Sequence, residues 1–126
     1  MPLALRITLL LILCMAARPL PVWPDYLGAL EPYDLGDYAG ALKEFRPMAE
    51  EGNAAAQLLL GFMYERGQGV TQDYVQAHLW FNLAARQGEE QAAKMRDELA
   101  SRMSAEQVTE ANEQAAQWRP KIVIRE

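Results

Sequence analysis

The chain has few of the residue types on which most protein chemistry depends. Its 126 residues include one cysteine, Cys14, and one histidine, His78. A single thiol cannot form an intramolecular disulfide, and no cluster of cysteines and histidines has the spacing of a metal site. The glycines at 67–70 lack the lysine and the hydroxyl that a phosphate-binding loop requires. These absences predict a protein that is not an enzyme and that uses no metal and no cofactor.

Positive charge is also scarce. Twelve Lys and Arg side chains stand against seventeen Asp and Glu, for a formal net charge of −5. An acidic surface repels phosphate groups, which argues against nucleic acid and anionic lipid surfaces as partners. Adjacent carboxylates such as those of Glu50 and Glu51 do not share a helix face, so they are poor acid–base pairs.

Long apolar runs are absent except at the start of the chain. Arg6 supplies a positive charge, residues 7–15 are apolar, and two alanines follow, which is the pattern of a secretory signal peptide over 1–17. The run is too short to span a bilayer securely. The bulky Leu13 before Cys14 makes a lipoprotein anchor the weaker interpretation. We therefore expect export to the periplasm, a Pro-rich leader at 18–24, and no membrane insertion after cleavage.

What the chain does have is an internal repeat. The segment 37–56 recurs 36 residues later at 73–92. The matching pairs are Asp37 and Asp73, Tyr38 and Tyr74, Ala41 and Ala77, Phe45 and Phe81, Ala49 and Ala85, Gly52 and Gly88, and Ala56 and Ala92. Steps of three and four residues put these positions on one helix face, so they are predicted to form a buried stripe. Such a period is typical of a helical solenoid, in which each helix pair is buried by stacking on the next.

Caps and breakers predict about six helices within 25–119. They are expected at about 25–35, 37–51, 53–66, 73–87, 90–102 and 104–119. Asp73 with Gln76 and Ser104 with Gln107 have the spacing of capping boxes. Pro47 is expected to kink the second helix. The predicted fold class is all-α, a short right-handed α-solenoid of stacked antiparallel helix pairs.

The residues of the middle segment resemble a complete Sel-1-like repeat, a relative of the tetratricopeptide repeat, over about 53–88. The resemblance rests on Ala56-Gln57, Leu60-Gly61, Tyr64, Gly67-Gln68-Gly69-Val70, Gln72-Asp73-Tyr74, Ala77, Trp80-Phe81, Ala84-Ala85 and Gln87-Gly88. The segment 26–52 is more similar to a tetratricopeptide unit. After Gly88 the pattern decays, since Asp97 and Ala100 stand where the repeat has Gly61 and Tyr64, as suits a terminal repeat that faces water.

The resemblance implies structural roles for the repeat residues. Gly61 is expected to allow close helix approach, and Gly67 and Gly69 to take left-handed backbone angles. The predicted structural residues are Ala56, Leu60, Gly61, Tyr64, Gly67, Gly69, Asp73, Tyr74, Ala77, Trp80, Phe81, Ala84, Ala85 and Gly88. His78 lies next to the buried stripe and has no identifiable partner, so a packed or surface helix residue is favoured over a general base.

The resemblance also implies a function in protein–protein interaction. In tetratricopeptide-like stacks the first helix of each pair lines a concave groove, where a peptide or partner helix binds. The predicted partner-binding residues are Ala55, Leu58, Phe62, Glu65, Gln91, Lys94 and Glu98. Coverage of Leu58 and Phe62 by the first repeat stays open as an alternative, as does a homodimer. The favoured function is a scaffold or adaptor in the bacterial cell envelope; the alternatives are an exported regulator that inhibits an envelope signalling protein and, with less support, a cell-wall hydrolase.

The C-terminal residues 120–126 differ from the rest of the chain. Ile122, Val123 and Ile124 are β-prone and lie between basic residues. Three interpretations remain for this tail: it folds back over the last helix, it adds as a strand to a partner's sheet, or it is a frayed end.

Overall fold

The structure is a computed structural model that describes residues 26–122, with side chains from Gly28 onward. The predicted signal peptide, the leader and residues 123–126 lie outside this range. The described helices are α1 Tyr26–Asp34, α2 Tyr38–Glu50, α3 Ala54–Arg66, α4 Tyr74–Arg86, α5 Glu90–Ala100 and α6 Ala105–Gln117. Residues 26–122 contain no strand. The predicted all-α class with about six helices is confirmed.

Short polar side chains begin most of these helices. Asp37, Asn53, Asp73 and Ser104 each accept a hydrogen bond from a backbone N–H in the first turn of the helix that follows. Ser104 and Gln107 form the predicted capping box. The capping box predicted at Asp73 is wrong in its second half, because the Asp73 N–H donates to the Tyr64 carbonyl, 3.0 Å away. The Gln76 amide donates to Gln114 Oε1 on α6, also over 3.0 Å.

Glycines end the helices where the chain must turn. Gly67 and Gly69, in the loop between α3 and α4, have φ of +68° and +71°, which confirms the predicted left-handed angles. Gly69 also lies directly against the backbone of α2, where a Cβ atom would stand 2.7 Å from the Tyr38 carbonyl oxygen. This close approach brings the α3–α4 loop onto the start of α2.

The apolar repeated residues form the predicted buried stripe, whereas Asp37, Asp73 and Gly88 are exposed. Ala41 and Phe45 on α2 and their counterparts Ala77 and Phe81 on α4 are all fully buried. α2 packs against α1 and α3, and α4 packs against α3, α5 and α6. Eight consecutive residues of α4, from Ala77 to Ala84, are buried, so α4 is the central helix of the stack.

Two groups of apolar side chains make the core. The larger joins α1, α2, α3, α4 and α6 around Phe45, Leu60 and Trp80. The smaller consists of Ala77, Phe81 and Leu99 and joins α4 to α5. Successive helices thus bury their apolar faces on one another, and both α5 and α6 pack on α4.

The chain after α6 returns to the first helix pair. We call residues 118–121 the C-terminal segment. Its Lys121 donates from the backbone N–H to the Glu50 carbonyl, 2.8 Å away, and from Nζ to Glu50 Oε2, 2.6 Å away. Up to Lys121 the chain thus folds back, which was one of the three interpretations of the tail, but its hydrogen bonds are with the end of α2 rather than with α6. Beyond it, Ile122 is 89% exposed.

No helix within residues 26–122 is both long enough and apolar enough to cross a bilayer.

Candidate partner-binding surface

The residues predicted to bind a partner lie on α3 and α5, the first helices of the second and third pairs. On α3 they are partly buried, and on α5 they are exposed. The α3 residues are Ala55, Leu58, Phe62 and Glu65, and the α5 residues are Gln91, Lys94 and Glu98. We call these seven residues the α3–α5 surface.

Phe62 anchors the apolar part of this surface. Its ring packs edge-to-face against Phe81 of α4, with ring centroids 5.2 Å apart. The Arg66 guanidinium lies over the same ring, 5.0 Å from its centroid. Leu58 packs on the same small cluster as Phe62. The partial burial of these two side chains is therefore due to contacts with the helices that follow, which leaves each of them a solvent-facing edge.

Two methionines extend the apolar stripe. Met95 and Met103 are partly buried and rest on Phe81 and Leu99 beside Leu58 and Phe62. Sequence reasoning did not select them for the site, although Met95, Leu99 and Met103 recur at the four-residue spacing of one helix face. Their unbranched thioether side chains adapt readily to a ligand of irregular shape.

Glu65 is not a free carboxylate. It forms an ion pair with Arg102, which lies just after α5. Arg102 also lies over the Tyr74 ring, 5.2 Å from its centroid. Glu65 thus holds the end of α5 against α3, while Lys94 and Glu98 are the exposed charges beside the apolar stripe.

Polar contacts between pairs hold α3 in place. The fully buried Gln57 donates to the Ala49 carbonyl over 3.1 Å and accepts from Gln87 Nε2 over 2.8 Å. Arg46 of α2 donates to the Tyr64 hydroxyl over 3.0 Å. Because buried amides need such partners, this network fixes the orientation of α3 and its surface.

His78 is a packed residue of α4, with 3% of its surface exposed. Burial lowers the pKa of this imidazole below its ordinary 6.5, the Arg96 cation lowers it further, and the Asp97 carboxylate opposes both. It is neutral at pH 7 and sealed from bulk solvent. Within residues 26–122, no three acidic, histidine or cysteine side chains converge in a way that would hold a metal ion.

A depression lies away from the α3–α5 surface. It has a volume of about 390 Å³ and is found where the C-terminal segment meets the ends of α2 and α4. Its walls are Glu51, Gly52, Leu83, Arg86, Gln87, Trp118 and Pro120. None of the seven residues of the α3–α5 surface lines it.

Stacked antiparallel helix pairs with a repeated buried stripe define a helical repeat protein. Residues 54–89 match the family model of the Sel1 repeat, one residue away from the range the sequence resemblance indicated. The chain therefore contains one Sel1 repeat, which spans α3 and α4. Sel1 repeats are generally protein–protein interaction modules, and proteins that contain them are typically non-enzymatic scaffolds. No curated protein sequence matches the chain.

Proposed function

We propose that this protein is an interaction scaffold or adaptor that binds a peptide or partner helix on the α3–α5 surface. The observation that carries the proposal is the partly exposed apolar stripe of Leu58, Phe62 and Met95, which lies between two helices of a Sel1-type stack. An apolar stripe of this kind suits an amphipathic helix that lays its apolar face across α3 and α5.

The surface supplies both affinity and orientation. The Phe62 ring is already positioned by Phe81 and Arg66, so little side-chain entropy is lost when a partner covers it. Burying the remaining apolar area of one such anchor contributes at most about 1.5 to 3 kcal/mol. Lys94 and Glu98 lie one helical turn apart and present opposite charges, which orients a partner with complementary charges.

The proposed compartment is the bacterial periplasm. It is supported by the charged start, short apolar run and small residues of 1–17. Mass spectrometry of the chain purified from a periplasmic fraction is expected to find an N-terminus close to residue 18. An intact Met1 in the cytosolic fraction would contradict this location.

The binding surface is tested by charge reversal at an exposed position. Phe62 is unsuitable as a first probe, because replacing it would also disturb Phe81 and the core. Lys94→Glu changes the exposed surface alone, and Lys43→Glu on α2 is a matched control at another exposed helix lysine. Capture of a partner from envelope extract, quantified by mass spectrometry, is expected to fall at least tenfold for Lys94→Glu and to stay unchanged for Lys43→Glu. Equal retention, or equal loss, in both variants would place the site elsewhere.

A further inference from the structure

The only histidine of the chain is buried on α4, within electrostatic reach of Arg96 and Asp97 on α5. His78 is 3% exposed, and its Nδ1 has no hydrogen-bond partner among the described residues. An imidazole in this state packs as a neutral ring. In a protonated imidazole both ring nitrogens carry a proton, and no described group would accept a hydrogen bond from the N–H at Nδ1.

The neighbours of His78 make a positive charge there more costly. Asn82, one turn further along α4, accepts a hydrogen bond from Arg96 Nη1 of α5 at 3.0 Å. Arg96 therefore reaches into the α4–α5 interface beside the imidazole, and its charge disfavours protonation of His78. Asp97 favours protonation, but its carboxylate is bonded to Arg96 Nε at 3.0 Å and its side chain is 71% exposed.

Charged groups on the other helices packed against α4 are engaged elsewhere or lie in solvent. On α3, Glu65 pairs with Arg102, and Arg66 stacks on Phe62. On α6, Glu110 accepts a hydrogen bond from Gln114, and Glu106 and Glu113 are exposed. The electrostatic environment of His78 is thus set by α5 alone.

We infer that His78 makes the attachment of α5 to α4 sensitive to acid: the neutral imidazole permits the closed packing, and protonation releases α5. The closed state resists protonation, whereas an open state takes up the proton at the ordinary pKa of about 6.5. The free energy that holds α5 on α4 is therefore greatest above pH 6.5 and decreases progressively as the pH falls below it. This property does not depend on the partner-binding proposal, although α5 also carries Gln91, Lys94 and Glu98.

The direct test follows the folded wild-type protein between pH 8 and pH 5. Because His78 is the only histidine, its imidazole NMR signals report its protonation without assignment to competing residues. Hydrogen exchange of the α5 amides, corrected for the intrinsic effect of pH, gives the open population. We expect that population to rise as the pH falls below 6.5, by at most about tenfold per pH unit, and to level off at the lowered pKa of the closed state, while the amides of α2 change much less. Titration near 6.5 without any change in α5 protection would overturn the inference.

Two variants and a control separate His78 from general acid effects. His78→Gln replaces the ring by a neutral amide and should make α5 exchange independent of pH over this range. Arg96→Gln removes the opposing cation, so the acid response should become smaller. Glu113→Gln on α6 removes an exposed charge and should leave the response as in the wild type.

The inference can still be tested if His78→Gln fails to fold at pH 8. The wild-type titration and Arg96→Gln then provide the test, because the latter retains the histidine. An unchanged acid response in Arg96→Gln, or the full response in a folded His78→Gln variant, would show that α5 is released by other groups.

Discussion

Gly61 shows how a single hydrogen atom sets the distance between two helices. A Cβ atom at this position would lie 2.4 Å from the Phe81 ring, inside the closest contact that real Cβ atoms make. We predict that Gly61→Ala lowers the free energy of unfolding by about 1 to 3 kcal/mol, the usual cost of overpacking a core. The loss exceeds the gain of up to about 1 kcal/mol in helix propensity that alanine brings.

Gly28 provides the matched control for that prediction. It is an exposed glycine within α1, and a Cβ atom there would meet nothing within 4 Å. Gly28→Ala is expected to raise the free energy of unfolding by about 0.5 to 1 kcal/mol. Urea unfolding of both variants checks the two signs. If both substitutions stabilised the protein, the close approach of α3 to Phe81 would not limit the packing.

Residues that act through local geometry could be predicted from the sequence, and residues that act through distant contacts could not. Gly61, Gly67 and Gly69 fulfil the expected structural roles because the repeat spacing itself carries that information. The pairing of Glu65 with Arg102 joins residues 37 positions apart, and no local pattern indicates it. The site was therefore predicted as a set of positions on two helices, without the ion pair and the methionines that complete it.

At the level of helices, N-terminal caps account for most of the boundaries that the sequence predicted. Ser104 and Gln107 form a complete capping box on α6, so Ser104→Ala is expected to cost about 1 kcal/mol of stability. α5 differs, because its cap residue Glu89 makes no side-chain hydrogen bond to the helix. Glu89 has an extended backbone, with ψ of 98°, which suits a conventional cap.

Glu89→Ser should therefore stabilise α5 by about 0.5 to 1 kcal/mol. Chemical denaturation followed by circular dichroism measures both cap variants, and the two are expected to shift the midpoint in opposite directions. A loss of stability with serine at 89 would mean that the Glu89 side chain stabilises the protein through an interaction other than a cap hydrogen bond.

The contacts between elements were less accessible from the sequence. Gln76 was expected to complete a cap and instead joins α4 to α6, because the Asp73 N–H that it would have accepted donates to the Tyr64 carbonyl. Covering α6 was one of three interpretations of the tail, and Lys121 instead bonds to Glu50 at the end of α2. In both cases the sequence shows that a polar side chain is present, but its hydrogen-bond partner is determined by how the helices pack.

At the level of the whole molecule, the C-terminal segment changes how the stack is held together. Repeats in a solenoid normally contact only their neighbours. Here Trp118 packs on Trp80 with ring centroids 6.4 Å apart, and Lys121 bonds to Glu50. The segment thus connects the last helix, the central helix and the first pair.

Removing the part of the segment after Arg119, which includes Lys121, should weaken the first pair more than the last. We predict that a chain ending at Arg119 loses hydrogen-exchange protection at the end of α2 while α5 keeps its own. Lys121→Ala should have a much smaller effect, at most about 1 kcal/mol, because an exposed ion pair contributes little and the backbone hydrogen bond remains. A uniform loss of protection over all helices, or none at all, would contradict a local role for the segment.

The return of Lys121 to Glu50 also bears on the order in which the protein can be completed. The two residues are 71 positions apart, and chains are synthesised from the N-terminus at about 5 to 20 residues per second. α1, α2 and α3 can form while the rest of the chain is still being made, but the end of α2 receives its final contacts only when Lys121 has emerged. The first helix pair to be synthesised is therefore among the last to be finished.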